Sequence, residues 1–367
     1  MAGSITGTHF QVATFGESHG PGLGVIIDGC PAGISISAED IQQELNRRKP
    51  GTSKFTTSRS EGDQVEILSG ILDGVTTGNP ISMLIRNQDQ RSKDYSHLEN
   101  IYRPGHADFT FDKKYGFRDI RGGGRSSGRE TVARVAAGAI AKKILSELGV
   151  SILAYTRSIG PIKIDYSKFD EKSIRENLLS MPDPEAALKA ADFISETKKR
   201  LDSVGGVIEC VVNGMPAGVG EPVFEKLDAM LAKAVVSIGA VKGFEVGSGF
   251  NASNMYGSEH NDQWHYNDHE NLVKDTNNAG GILGGISDGA PIIIRAAFKP
   301  TPSIAQSQQT ITKDMKNTEI SIHGRHDPII VPRAVVVVES MVAITLVDSI
   351  FSRILSRMDL IKKSYDL

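Results

Sequence analysis

Apolar positions recur along this chain in two spacings, and the spacing separates strands from helices. Short β-branched runs bounded by glycine occur at 24–28 (GVIID) and 206–212 (GVIECVV). Each reads as a buried strand. Steps of three and four residues mark the helices. Val132, Val135, Ala136, Ala139, Ile140 and Ile144 share one face, and Ser127 to Glu130 has capping-box spacing just ahead of them. Ser37 is placed to cap an earlier helix that carries Ile41, Leu45 and Arg48 on one side. Asp183-Pro184-Glu185 supplies an N-cap, a proline and an acid, and predicts a helix to about Ser203. A long apolar segment from about Pro332 to Arg357 predicts another helix, although its valine run also permits a strand at the start.

One pattern occurs twice. Ile26 to Ile34 (IIDGCPAGI) resembles Val211 to Val219 (VVNGMPAGV), and in both a strand ends in a Gly-x-Pro-Ala-Gly turn that leads to a helix. The second of these helices is expected from about Val223 to Lys233. The loop around Arg121–Arg125 feeds a helix bearing Arg134, and His323 to Pro328 feeds a segment bearing Arg333. These pairings predict a pseudo-duplication within one large domain, with halves of about 1–204 and 205–367. The stretch from Gly247 to Gly280 is polar and is expected as a surface excursion. Many turns, scattered strands and several long helices predict an α+β fold.

Composition narrows the function. The 367 residues are 39% hydrophobic and 23% charged, ordinary for a globular protein, and the net charge of −3 gives no global case for nucleic-acid binding. Nothing resembling a signal peptide or a membrane-spanning run is read, and two cysteines suit a reduced, cytoplasmic setting without a disulfide framework. The cations matter because they are concentrated. Arg118, Arg121 and Arg125 surround Gly122 to Gly124 directly before a helix start. Free N–H groups, the helix dipole and guanidinium forks there favour a phosphate or carboxylate. Arg47, Arg48, Lys49, Lys54 and Arg59 form a second cationic segment, although cations at a helix end are also common for the dipole alone.

Two histidines stand in open turns, His19 in GESHG and His106 in RPGHAD, and suit general acid work on an anionic substrate. Two G-x-S-x-G matches, at Ser18 and Ser126, lack the strand–serine–helix order of a hydrolase elbow. There is no P-loop and no complete Rossmann fingerprint. His260, His265 and His269 lie in a polar segment without firm helical period and read as solvated surface rather than as metal ligands. The single RGGGR differs from the repeated, disordered RGG segments that bind RNA.

Together these motifs resemble the chorismate synthase family from about Thr14 to Asp348. The markers are GESHGPGLG at 16–24, RRKPGTSKFTTSR at 47–59, RPGHAD at 103–108 and RGGGRSSGRETVARVAAGAIAKK at 121–143. AGGILGGIS at 279–287, KPTPSI at 299–304 and GRHDP at 324–328 complete the set. The resemblance implies a β-α-β sandwich, a homotetramer, and conversion of 5-enolpyruvylshikimate 3-phosphate to chorismate and phosphate with reduced FMN. It implies His19 as acid at the departing phosphate, His106 at the flavin and Asp327 in proton removal. Arg48, Lys54 and Arg103 would hold substrate anions. Arg125, Ser126, Ser127, Gly239, Ala240, Gly284, Lys299, Pro300, Thr301, Pro302, Ser303 and Arg325 would meet FMN. Lys54, Gly239 and Pro302 replace the family's usual Arg, Asn and Ser, which predicts fewer polar contacts there. With no dinucleotide fingerprint, an outside reductant is expected in place of NADPH acting on the chain itself.

Overall fold

Strand residues at alternating positions are either fully covered or open, and that alternation builds two sheets around a helical layer. The computed structural model describes residues 3–49, 61–88, 99–120, 123–270, 272–322 and 327–366. In the first sheet β1 (Ile5–Thr6), β2 (Gln11–Gly16), β3 (Gly22–Asp28), β4 (Val65–Ser69) and β5 (Ile81–Arg86) run antiparallel in the order β1-β2-β3-β5-β4. Leu23, Val25 and Ile27 of β3 and Ile81, Met83 and Ile85 of β5 are sealed on the inner face. Helices α1 (Ala38–Arg48), α2 (Asp108–Tyr115) and α3 (Thr131–Glu147) follow from this half.

The second sheet contains β6 (Ser151–Ile159), β7 (Ile162–Lys163), β8 (Gly206–Asn213), β9 (Val241–Val246) and β10 (Ile292–Phe298) in the order β9-β10-β8-β6-β7. Its inner face is Ile208, Cys210, Val212, Ile292, Ile294 and Phe298, all buried. Helices α4 (Pro184–Lys199), α5 (Leu227–Val236) and α6 (Val331–Ile354) belong to this half. α3 packs on the first sheet, α6 on the second, and the two helices on each other. α6 is buried on nearly all sides from Ala334 to Val347. It is long and apolar enough to cross a bilayer, but 78% of its most apolar window is buried inside the protein, as a core helix requires. At the crossing, a Cβ added to Gly138 would lie 2.2 Å from Ser340 Cβ, so only glycine lets the backbones approach this closely.

The same element order occurs in both halves. β2, β3, the 29–33 turn, α1, β4, a small hairpin at 71–76 and β5 correspond to β6, β8, the 214–218 turn, α5, β9, a hairpin at 282–287 and β10. Strand β6 holds in the second sheet the place that β2 holds in the first. α4 lies between the second sheet's first two long strands, where the first half has only a short turn.

Local expectations fare unevenly. Ser37 and Asp40 form a full capping box, and Asp183 caps α4. The box expected at Ser127 and Glu130 does not form. Ser127 Oγ instead accepts the Arg129 N–H at 3.3 Å, and Glu130 turns to Thr14 Oγ1 and Arg134 Nε. The helix expected from Val223 starts at Leu227, after a 3₁₀ turn, and the valine run of α6 is helical throughout. His265 lies on a strand of the 264–266/272–274 hairpin, with Nδ1 2.9 Å from Asp275, so it shares no helix face with His269.

Candidate functional site

The segment that joins the first sheet to α3 makes two 3₁₀ turns, 124–126 and 128–130, before the α-helix begins. Gly123 (φ +93°) and Gly124 (φ +52°) take left-handed backbone that permits the reversal. The start of α6 lies beside it. Between these helix starts is a cavity of about 530 Å³. Residues 103, 105–107, 237–240, 298–299 and 301–303 contribute to its remaining walls. Two helix N-termini therefore meet one space, and their dipoles add to its side-chain charge.

That charge is strongly cationic. Arg48, Arg103, Arg125, Arg129, Arg134, Lys299 and Arg333 line the cavity, against Glu130 and Asp327. Arg48 is almost fully buried. Its Nη2 donates to Asp63 Oδ2 at 2.8 Å, while Arg129 Nη1 donates to Asp63 Oδ1 at 2.6 Å. Burial, with Arg333 and Arg129 nearby, lowers the Arg48 pKa to about 10 despite Asp63. Burial pushes Asp63 the other way, yet Arg48 and Arg129 outweigh it and hold the carboxyl below its ordinary range. One carboxylate thus serves two guanidiniums. Arg48 Nε and Thr301 Oγ1 are buried with no hydrogen-bond partner among the described residues. Unpartnered buried donors are costly, and a bound oxyanion would satisfy them.

The other charges are more engaged. Arg125 donates to the Gly16 and Thr14 carbonyls at 3.1 and 3.2 Å and to Thr14 Oγ1 at 2.6 Å. Its side chain ties the glycine turn to β2 as well as lining the cavity. Arg333 Nη1 donates to Asp327 Oδ2 at 2.5 Å, and its Nε to the Arg48 carbonyl at 3.0 Å. Lys299 Nζ donates to the Gly105 carbonyl at 2.5 Å, and burial lowers its pKa, helped by Lys242. His106 is held at Nδ1 by Asp108 Oδ1, 2.8 Å away.

Of the residues expected from the sequence, Arg48, Arg103, His106, Arg125, Ser126, Ser127, Gly239, Ala240, Lys299, Thr301, Pro302, Ser303 and Asp327 all line this one cavity. His19, Gly284 and Pro300 are not among its lining residues. His19 is buried in the turn between β2 and β3, with Nδ1 3.1 Å from Ser18 Oγ. Gly284 occupies the tip of the 282–287 hairpin. Lys54 and Arg325 lie outside the described residues. Arg129, Arg134 and Arg333 also line the site but were not expected there. The pairing of the Arg134 and Arg333 segments was the signal that could have found two of them. A larger cavity of about 1410 Å³ adjoins across a wall that includes Arg125, Glu130 and Arg134. His106 and seven cations face the smaller one.

A mixed α+β domain with a cationic, histidine-bearing cavity at two helix starts suits an enzyme that acts on small molecules. The chorismate synthase family model matches residues 10–351. A chorismate synthase of Lachnoclostridium phytofermentans is 60% identical over 365 residues, covering 100% of both chains. One from Agathobacter rectalis is 60% identical and covers 100% of this chain and 99% of its own. A crystal structure of chorismate synthase superposes with a TM-score of 0.75 at 33% identity, covering 98% of this chain and 97% of that one. The chain belongs to the chorismate synthase family and is a lyase.

Proposed function

We propose that this cavity carries out the 1,4-elimination of phosphate from 5-enolpyruvylshikimate 3-phosphate, giving chorismate, with reduced FMN bound beside the substrate. One observation carries the reading: seven cationic side chains and His106 line a single space between two helix starts. The substrate has two carboxylates and a phosphate, and FMN adds a phosphate, so such a pocket needs this excess of charge. The orphaned Arg48 Nε and Thr301 Oγ1 fit the same guests. When bound, reduced FMN would supply the electron density that departure of the phosphate requires, chemistry that the lining side chains do not offer.

The chain's own residues bind, orient and move protons. Arg48 and Arg103, with Lys54, hold substrate anions. Ser126, Ser127, Gly239, Ala240, Lys299, Thr301, Pro302 and Ser303 hold the cofactor; Pro300, Gly284 and Arg325 join them from the family resemblance alone. His106 exchanges a proton on the flavin side. Asp327, steadied by Arg333, assists removal of the ring proton; His19, which does not line the cavity, keeps its role at the departing phosphate from the family resemblance alone. A homotetramer, a cytoplasmic setting and an outside reductant belong to the same reading. An anaerobic assay tests it. Chorismate and phosphate should form in equal amounts with reduced FMN and not without it; equal rates in both would overturn the flavin requirement.

A further inference from the structure

We propose that Asp108 is a positioning residue that fixes which nitrogen of His106 exchanges protons with the cavity. The inference rests on the reading of His106 as a proton-carrying group. Asp108 opens α2 and is 5% exposed. Its Oδ1 lies 2.8 Å from His106 Nδ1 and accepts from Arg103 Nη2 at 2.7 Å. Its Oδ2 accepts from Arg103 Nε at 2.8 Å and from the Arg103 backbone N–H at 3.1 Å.

Two groups compete for His106 Nδ1. Arg103 Nη2, 3.1 Å away, could donate to an unprotonated Nδ1. That arrangement sets a ring lone pair against a carboxylate oxygen at 2.8 Å. A hydrogen on Nδ1 turns this shorter contact into a charge-assisted hydrogen bond, the stronger kind. Arg103 gives up little, because Nε and Nη2 already grip Asp108 in a bidentate fork. So Nδ1 keeps its hydrogen, and Nε2 is left to exchange.

The ring also lies near the Gly123 turn. A Cβ added to Gly123 would stand 3.1 Å from His106 Cε1 and 3.4 Å from Nε2, so a side chain there would crowd the imidazole and glycine leaves it room. Burial pushes the Asp108 carboxyl up, but the bonds from Arg103 and His106 prevail and hold it well below the usual carboxylate range. It stays charged and orients the ring without taking the proton, the part an aspartate plays behind a catalytic histidine.

The test is ¹⁵N-histidine NMR on the full chain, with His106→Gln identifying the resonance. Nδ1 should carry hydrogen in the neutral ring, and Nε2 should be the nitrogen that titrates. A neutral ring protonated at Nε2 would overturn the proposal. Asp108→Asn should lower kcat about tenfold or more, leave FMN affinity within about threefold, and change the tautomer signal, while KM moves with Arg103, which loses part of its fork. Wild-type kcat with an unchanged signal would also overturn it. If Asp108→Asn fails to fold, the wild-type spectrum still decides. Wild-type turnover by His106→Gln would instead remove His106 from the mechanism while leaving the NMR assignment intact.

Discussion

At the scale of single residues, the site gathers cations of which several pair with carboxylates outside the cavity lining: Asp63 serves Arg48 and Arg129, and Asp108 serves Arg103. His106 lines the cavity but forms no part of the arginine cluster around Asp63. His106→Ala should therefore keep FMN binding, read by flavin fluorescence, and lose most turnover; unimpaired turnover would count against its proton role. Arg125 makes a different case. Its guanidinium already holds the Gly16 and Thr14 carbonyls. Arg125→Ala frees the 123–126 turn and removes a cation together, so FMN affinity should fall at least tenfold. Unchanged affinity would assign that turn to another anion. The glycines and arginines of this turn were visible in sequence, but the inward hydrogen bonds of Arg125 were not. They depend on where β2 runs, more than a hundred residues away in the chain.

At the scale of elements, the contact of α3 with α6 decides whether the cavity exists, because both helix starts form its wall. Gly138 has no room for a side chain against Ser340. Gly138→Ala should cost about 1–3 kcal/mol as overpacking, measured by denaturant unfolding, and should weaken ligand binding by moving the helices apart. Glu339 ties the same layer together. Arg47 of α1 donates to it at 2.5 Å, Lys142 of α3 at 3.0 Å and the Ala154 N–H of β6 at 3.1 Å. Burial alone would raise its pKa, but Lys142 and Arg47 lower it from 4.5 to about 2. A depressed folded value means that this stabilisation is complete above pH 4.5 and is lost as pH falls towards 2. The shift corresponds to roughly 3 kcal/mol. Glu339→Gln should cost a similar amount at neutral pH and flatten the acid limb of an unfolding-versus-pH curve. An unaltered acid limb would show that other carboxylates set it. The apolar periods of α3 and α6 made both helices legible from sequence. Glu339 was not legible as a strut, since its partners sit on three other elements.

At the scale of the whole molecule, the fold brings distant segments to one place by using the same arrangement of strands and helix twice. The Gly-x-Pro-Ala-Gly turns revealed that recurrence in the sequence. The place of β6 beside β8 was hidden because α4 separates them in the chain, whereas β2 and β3 are joined by a short turn. Local pattern sees a strand and its turn, but not which strand pairs beside it. The site was largely legible for a different reason. Phosphate and carboxylate recognition demands arginine, glycine and helix starts in short contiguous motifs, and those survive in one dimension. Asp63 and Arg129 escaped because their role arises only from meeting Arg48 in the interior.

The proposed function puts flavin and substrate together in the cavity between the starts of α3 and α6. A crystal structure of the full chain with FMN and 5-enolpyruvylshikimate 3-phosphate tests it most directly. Both ligands should lie in contact there, with His106 and Lys299 against them. Density for either ligand only in the larger cavity beyond Arg125 and Arg134 would contradict the account.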